Sequence, residues 1–319
     1  MRCIICLNER DGSLEHVFPD AMGGTLTIDR VCQPCNSLLG ATVDVLLTDH
    51  ALILLKRNQL GIANRTGNTP TLHRAFGLGS MDNDPDQRVR IIQDATTGHL
   101  QPSLIHREMR TKTDDGNELI SVIIDASQES EIAKIIQRVR KREGFPPLNV
   151  EELTKQVESA KAQMGTIENP TIMHKMKIDT ADYKRAIAKI IYEIAWLWLG
   201  ELYLDDPAAA RLRLYILSGV EDENIRGKID IGSDIPPFNY LWKNESNAHI
   251  AASVPSESII CIAVRVFDAM SGMLSVTDAP DRYPAFSTGR FFCCDPQTGS
   301  VRDTSLPDEV LRLSRLAQN

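Results

Sequence analysis

The chain has 319 residues, and its 43 acidic residues outnumber 35 Lys and Arg to give a net charge of −8 and a pI near 5.4. This balance argues against a protein that coats nucleic acid along its whole surface, and it favours a local basic patch or a positioning partner. The hydrophobic fraction of 42% is typical of a soluble globular protein, and we expect no membrane segment because no apolar run could span a bilayer.

Two pairs of cysteines open the chain, Cys3 with Cys6 and Cys32 with Cys35, each pair separated by two residues. Paired knuckles of this spacing predict four thiolates on one structural Zn²⁺. Two disulfides are the alternative. Because no secretory signal precedes Cys3, we expect a reducing, cytoplasmic compartment, in which disulfides are disfavoured. A segment of about forty residues buries too little surface to fold alone, so the metal is expected to replace a core.

The residues between and after the cysteines predict a strand, a turn, a second strand and a helix. Leu14–Phe18 has strand character and is closed by Pro19, Gly23 and Gly24 mark a turn, and Thr25–Ile28 alternates as a second strand. A helix is predicted to begin near Pro34, because apolar residues then recur at helical spacing: Leu38, Leu39, Val43, Leu46, Leu47, Ile53 and Leu54. Asn36 would lie in the first turn of this helix.

Together these motifs resemble a known family. The order Cys-x2-Cys, Glu-His-Val-Phe-Pro, Gly-Gly, Val-Cys-x2-Cys-Asn and Leu-Gly over residues 1–55 is similar to the zinc-knuckle branch of the HNH endonucleases, members of the ββα-metal superfamily. The resemblance implies an N-terminal zinc-bound ββα-metal unit that hydrolyses phosphodiester bonds of DNA. It also implies a bacterial or phage context, in which such modules serve antiviral defence or mobile elements.

The resemblance assigns roles to individual residues. His16 matches the general base, Glu15 the acidic ligand of a catalytic divalent metal and Asn36 its second ligand, while Cys3, Cys6, Cys32 and Cys35 match the structural zinc ligands. Oxygen donors such as Glu15 and Asn36 suit Mg²⁺ or Mn²⁺ better than zinc. The central Asn of the family motif is missing from the second strand region, where the chain has Thr27, Asp29 or Arg30. We expect Asp29 to substitute for it in bracing the loop that carries the histidine.

Other interpretations of the same residues stay open. His16 can simply pack or hydrogen-bond, and Asn36 can cap the helix that follows Cys35. The segment would then be a non-catalytic zinc module that binds nucleic acid or a protein partner. A third possibility is that the C-terminal region senses a small molecule and gates a nuclease. A homo-oligomer or a protein partner that positions the module is compatible with each of them.

The rest of the chain predicts a linker at 61–85 and an α+β domain at 86–319, after an N-terminal domain at 1–60. The predicted helices are Glu129–Arg142, Val150–Met164, Ala181–Leu204 and Pro307–Leu316. The predicted strands are Arg88–Gln93, Leu119–Ile124, Leu212–Ser218, Ile259–Phe267, Met273–Val276 and Phe286–Phe292. The basic run Lys134–Arg142, or Arg107, Arg110 and Lys112, can track phosphates; the alternative is a solvated face.

Overall fold

The structure is a computed structural model that describes residues 1–64, 67–70, 78–93, 100–162, 165, 167, 170–174, 178–232, 234–236, 238–242 and 245–317. Helices and antiparallel sheets are both present, which confirms the predicted α+β class. The chain divides into two compact units: residues 1–70 with 178–319, and residues 71–177. This division is drawn differently from the domains predicted at 1–60, 61–85 and 86–319, because the N-terminal segment shares a unit with the C-terminal half. Part of the predicted linker lies outside the described residues.

The N-terminal segment has the predicted order of strand, strand and helix. Its elements are β1 (Gly12–His16), β2 (Thr27–Cys32), α1 (Gln33–Leu39), a π-helical turn (Gly40–Asp44), α2 (Val45–Thr48) and α3 (Ala51–Leu60). β1 and β2 pair antiparallel, with Gly12 opposite Cys32 and His16 opposite Thr27. The second strand begins later than Thr25 and runs directly into the second cysteine pair, so that Cys32 is also the N-cap residue of α1.

The C-terminal half of the first unit is built on a long helix, α6 (Tyr183–Leu199), and on a six-stranded antiparallel sheet. The sheet has the order β14-β13-β10-β11-β12-β9 and consists of β9 (Gly227–Ile231), β10 (His249–Pro255), β11 (Ile260–Val266), β12 (Met270–Thr277), β13 (Arg290–Cys294) and β14 (Val301–Ser305). The short helix α8 (Asn239–Trp242) and the final helix α9 (Leu306–Leu316) complete it. The helix predicted at Pro307–Leu316 is confirmed by α9.

The predicted helix from Ala181 to Leu204 is confirmed in its centre and is too long at its end. Gly200 adopts a φ of 80°, which ends α6, and Leu202 lies beyond it with 61% of its surface exposed. The predicted apolar side of the helix is buried as expected: Ala186, Ile187, Ile190, Ile191, Ile194, Ala195 and Trp198.

The strand predicted at Leu212–Ser218 is wrong, because these residues form the second half of helix α7 (Pro207–Ser218). The side chain of Asp206 accepts a hydrogen bond from the backbone of Ala208, and Pro207 occupies the first turn. This segment begins with three helix signals, which are a capping aspartate, a proline in the first turn and three successive alanines. These signals outweigh the apolar pattern of Leu212–Ser218, from which a strand was predicted.

One apolar core joins the N-terminal segment to the rest of this unit. Ile4, Phe18 and Leu39 are fully buried in the same cluster as Ile190 of α6 and Val264 of the sheet. The ring of Phe18 stacks on the imidazole of His249 at 5.2 Å, and His249 Nε2 lies 2.9 Å from the carbonyl oxygen of Met22. The cysteine segment is therefore stabilised by a shared core as well as by any metal.

The second compact unit comprises residues 71–177. It contains a four-stranded sheet of order β5-β4-β3-β8 and a hairpin of β6 and β7, with helices α4 and α5. The bounds are β3 (Leu78–Met81), β4 (Arg88–Gln93), β5 (Leu100–Leu104), β6 (Arg107–Lys112), β7 (Glu118–Ile123), α4 (Ile132–Arg142), α5 (Val150–Ala162) and β8 (Ile172–His174). The strands predicted at Arg88–Gln93 and Leu119–Ile124 correspond to β4 and β7.

No single helix of the described residues is long and apolar enough to cross a membrane. The segments Gln33–Thr48 and Ala51–Leu60 meet that test only as a pair bent by 79°. Leu39, Val43, Leu47 and Ile53 of these segments are buried within the first unit, whereas Leu38 is 48% exposed.

Candidate metal centre and the Glu15–His16 segment

The four N-terminal cysteines converge on one point. The sulfur atoms of Cys3, Cys6, Cys32 and Cys35 all lie within 4.8 Å of one another, and those of Cys6 and Cys32 are 3.8 Å apart. Tetrahedral Zn–S bonds of about 2.3 Å place sulfur atoms about 3.8 Å from each other. The donor set is thiolate only, and three of the four residues are buried. These residues can therefore hold one zinc ion, as the sequence predicted.

The backbone around the cysteines has the tight turns that such a site needs. Leu7, just after the first pair, has a φ of 61°, and its N–H donates to the carbonyl oxygen of Cys3. The N–H of Cys32 donates to the sulfur of Cys3 across 3.3 Å. The N–H of Ile4 donates to the carbonyl oxygen of Arg30, which joins the first cysteine pair to β2.

Helices α6 and α7 support this centre from the C-terminal half. The hydroxyl of Tyr192 donates to the carbonyl oxygen of Ile4, between the first two cysteines. Arg213 of α7 donates to the same hydroxyl at 3.1 Å, and both side chains are buried. Sequence reasoning missed these residues, because nothing local to α6 or α7 indicates that they face the cysteines.

Glu15 lies in a buried cluster of charged groups. Its carboxylate accepts a hydrogen bond from the ammonium group of Lys189, which is fully buried in α6. The same ammonium donates to the carbonyl oxygen of His16 at 3.0 Å and lies 3.2 Å from Asp44 Oδ1 and 3.4 Å from Glu193 Oε2. We call Glu15, Asp44, Lys189 and Glu193 the Lys189 cluster.

Burial dominates the electrostatics of the Lys189 cluster. It raises the pKa of Glu15, against the opposing effect of Lys189, and it raises the pKa of Glu193 well above the usual range of a carboxyl. Burial alone would lower the pKa of Lys189, but the carboxylates of Asp44, Glu193 and Glu15 together raise it above its ordinary value. Lys189 is therefore a permanently charged ammonium group at neutral pH.

His16 faces a different environment from Glu15. Its side chain is 20% exposed, whereas Glu15 is 3% exposed, as expected for neighbouring residues that point to opposite faces of a strand. The Nε2 atom of His16 lies 3.8 Å from Oδ1 of Asp20, whose side chain is 43% exposed. The structure thus places the imidazole beside a carboxylate at the protein surface, but this carboxylate belongs to Asp20 and not to Glu15.

Asn36 contacts the first strand. Its amide nitrogen donates to the carbonyl oxygen of Leu14 at 2.8 Å and to the hydroxyl of Ser13 at 3.1 Å. Asn36 thereby ties α1 to β1, a brace that the sequence assigned to Asp29. The carboxylate of Asp29 is 86% exposed and pairs with its neighbour Arg30, so it does not brace the loop that carries His16.

Glu15 and Asn36 both have partners within the chain. Glu15 is engaged by Lys189 in a buried position, and Asn36 donates its amide nitrogen to the backbone of β1, whereas a metal would take its amide oxygen. A second cation beside Lys189 would be repelled: two unit charges at 4 Å interact by about 4 kcal/mol at an effective dielectric constant of about 20, and a divalent ion doubles this. The pairing of Glu15 and Asn36 on one metal stays a prediction from the resemblance.

Four of the basic residues predicted to track phosphates are paired with acids in the second unit. Arg107 pairs with Asp84 at 2.8 Å, Arg110 with Glu143 at 2.6 Å, and Arg142 with Glu108 and Glu143. Lys134 pairs with Glu131 at 2.9 Å. These ion pairs favour the alternative interpretation, a solvated face.

Two members of the Lys189 cluster carry a signal in the sequence. Lys189 and Glu193 are four residues apart within the most apolar helix of the chain, where a charged side chain must be paired to be buried. Their spacing shows that they pair with each other, but Glu15 and Asp44 are far away in sequence and give no comparable signal.

A cluster of four cysteines that can hold zinc, joined to a strand-strand-helix unit with a partly exposed histidine, has the features of a zinc-knuckle module, and we use this name for residues 1–60. Residues 3–52 match the model of a family described as HNH endonuclease, which confirms the predicted resemblance over this segment. No curated protein matches the chain. No solved structure matches it either.

Proposed function

We propose that the N-terminal segment is an endonuclease module that hydrolyses phosphodiester bonds of DNA, with His16 as the general base. The observation that carries the proposal is the family match over residues 3–52, within which His16 is the partly exposed imidazole of the Glu-His motif. The identity of the nucleic acid and the role in antiviral defence rest on the resemblance alone and stay predictions, as do a cytoplasmic location and a protein partner that gates the module.

In the proposed reaction the imidazole of His16 takes the proton from the attacking water as a general base. The carboxylate of Asp20, 3.8 Å from Nε2, stabilises the imidazolium that forms. The backbone on either side of the imidazole is fixed: Lys189 holds the carbonyl oxygen of His16, and Phe18 packs in the core. Zinc on the four cysteines has a structural part only and takes no part in the chemistry.

The resemblance also assigns Mg²⁺ or Mn²⁺ to the reaction, where such an ion would stabilise negative charge on phosphorus and on the leaving oxygen. Because Glu15 is engaged by Lys189, the proposed reaction includes no step on an ion held by Glu15 and Asn36. The same observation favours a second candidate function. A module whose acidic ligand is neutralised from within the chain is suited to bind nucleic acid or a protein partner without cutting.

Plasmid cleavage separates the two candidates. The full chain is assayed with Mg²⁺, with Mn²⁺ and with neither, as wild type, as His16→Ala and as His106→Ala, which removes an imidazole from the second unit. We expect His16→Ala to lose cleavage by about 10²–10⁴-fold, the usual contribution of a general base, while zinc content and DNA binding stay unchanged.

His106→Ala should cleave DNA at the same rate as the wild type, because His106 lies outside the N-terminal module. Its imidazole is 3.6 Å from Glu108 in the second unit. Equal cleavage by wild type and His16→Ala, in preparations freed of contaminating nuclease, would refute the role of His16. DNA binding by the wild type without cleavage under any of the three metal conditions would establish the non-catalytic module instead.

A further inference from the structure

The ammonium group of Lys189 is surrounded by oxygen atoms of the N-terminal segment and of its own helix. Its neighbours are the Glu15 carboxylate, the carbonyl oxygen of His16 at 3.0 Å, Asp44 at 3.2 Å and Glu193 at 3.4 Å. Carboxylate and carbonyl oxygens are the ligands that hard divalent cations take in proteins. We propose that Lys189 stands in place of a divalent cation beside Glu15, so that α6 supplies the positive charge of this site from within the chain.

The position of Lys189 makes this charge permanent. Lys189 is fully buried near the middle of α6, and Ala188 and Ile190 on either side of it are fully buried as well. A free ion exchanges with solvent, and its occupancy of a site depends on its concentration. The ammonium group of Lys189 is covalently attached to a packed helix, so its presence at the site does not depend on concentration. Through its hydrogen bond to the carbonyl oxygen of His16, Lys189 also acts as a positioning residue for the segment that carries the imidazole.

The cluster holds more carboxylates than one ammonium can neutralise. Glu15, Asp44 and Glu193 face a single Lys189, and both carboxylate oxygens of Glu193 have no hydrogen-bond partner in the part of the chain that the structure describes. Shortening Lys189 to alanine would therefore leave a space lined by carboxylate oxygens and one carbonyl oxygen. Such a space should accept a hydrated divalent cation.

Manganese binding tests the proposal on the full, zinc-loaded chain, with free Mn²⁺ followed by electron paramagnetic resonance. Mn²⁺ binds more weakly than the other divalent first-row transition metals and does not displace zinc from thiolates. The variants are Glu15→Gln, Lys189→Ala, the double variant of both, and Lys184→Ala, which removes a lysine of the same helix outside the cluster. We expect Lys189→Ala to bind one Mn²⁺ per chain about tenfold or more tighter than the wild type, and Lys184→Ala to behave like the wild type.

Adding Glu15→Gln to Lys189→Ala should abolish the new site. If the Lys189→Ala chain is poorly folded because the buried Glu15 and Glu193 and the partly buried Asp44 have lost their cation, Mn²⁺ should raise its thermal midpoint and leave that of the wild type unchanged. A Lys189→Ala chain that gains neither bound Mn²⁺ nor stability from it would overturn the proposal. A wild type that binds one Mn²⁺, and loses it in Glu15→Gln, would overturn it without reliance on any lysine variant.

This inference concerns the site of the proposed nuclease and rests on that proposal only for the part that Glu15 is expected to play. The Mn²⁺ experiment measures cation binding and not cleavage. The proposal for Lys189 can therefore be refuted while cleavage still depends on His16, and it can be confirmed in a chain that does not cleave DNA. Cleavage that requires Mg²⁺ and is lost in Glu15→Gln together with bound Mn²⁺ would support the nuclease and reject Lys189 as the cation.

Discussion

Gly24 shows how a single residue fixes the loop that carries the histidine. A Cβ atom at this position would lie 1.9 Å from the carbonyl oxygen of Phe18, which is backbone and cannot move aside cheaply. Phe18 is itself locked in the core between His249 and Phe292, so the strain would reach the segment Glu15–Phe18. The glycine pair of the motif is thus a requirement of packing as well as a turn signal.

We therefore expect Gly24→Ala to lower the free energy of unfolding by more than about 2 kcal/mol, as over-packing at a buried site does. Gly40→Ala is the matched control, because Gly40 has a helical φ of −58° and no atom within 4 Å of its added Cβ. That variant should be neutral or more stable by up to about 1 kcal/mol, since alanine favours helix. Denaturant unfolding of both variants checks this; similar losses in both would show that Gly24 is not under steric constraint.

Among individual residues, the sequence identified the cysteines correctly and left the partners of Glu15 unseen. The spacing of the four cysteines predicts that their sulfur atoms converge, because the two cysteines of each pair lie within one turn of the backbone. Glu15 could be predicted as the acidic residue before a histidine, but its partner Lys189 lies 174 residues away. No pattern within either segment relates the two, and only the packing of α6 against β1 brings them together.

At the scale of elements, Asn36 joins α1 to β1 where the family motif would use a different asparagine. Its amide donates to Leu14 and Ser13, and these two bonds cross the bulge between Ser13 and Glu15 in the pairing of β1 with β2. A bulge disrupts the ladder and bends the strand, so a side chain that fixes the backbone there holds Glu15 and His16 in their relative orientation.

Asn36→Ala should accordingly lower the free energy of unfolding by about 1–2 kcal/mol, because it removes a hydrogen bond to the partly buried hydroxyl of Ser13 and one to the exposed carbonyl oxygen of Leu14. The loss should be the same with and without Mg²⁺, whereas a metal ligand would lose stability only when the ion is present. Gln33→Ala serves as the control, since its exposed bond to Ser37 lies within the same helix and should be worth little. A loss that appears only with Mg²⁺ would assign Asn36 to a metal and not to the brace.

Secondary structure was predictable where one element carries its own signal. α6 was found from seven buried apolar positions, and its true end at Gly200 follows from a positive φ that the apolar periodicity does not report. The sequence predicts a strand at Leu212–Ser218 because these residues read as an apolar run when Pro207 is taken only as the end of the preceding helix. The edge strands β9 and β14 escaped prediction, since half-exposed edge strands are short and weakly apolar.

At the scale of the whole molecule, the zinc-knuckle module is not an independent domain. Ile4, Phe18 and Leu39 share one core with α6 and the C-terminal sheet, and Tyr192 with Arg213 holds the backbone between the first two cysteines. A zinc ion on the four cysteines would therefore supplement a core that the C-terminal half provides, whereas the length of the segment alone had predicted that the metal replaces a core. This gives residues 178–319 a structural part in the site.

We expect Cys32→Ser to lower the thermal midpoint of the entire first unit, residues 1–70 and 178–319, in one cooperative transition. Loss of a thiolate removes zinc, and the apolar residues beside it belong to the shared core. Hydrogen exchange followed by mass spectrometry should show lost protection in α6 as well as in β1 and β2. Cys261→Ser is the matched control, because Cys261 lies in β11 and is not one of the four clustered cysteines. This variant should retain zinc and leave the hydrogen-exchange protection of α6 unchanged.

Because the module shares its core with the C-terminal half, we expect residues 1–60 expressed alone to stay unfolded even when zinc is supplied. Without α6 the buried side chains of Ile4, Phe18 and Leu39 lose their partners, and Glu15 loses Lys189. A fragment that binds one zinc ion and gives a dispersed amide spectrum would show that the metal suffices and that the shared core is secondary. A fragment that binds zinc through its thiolates but remains without protected amides would show that zinc organises the cysteines while the C-terminal half folds the module.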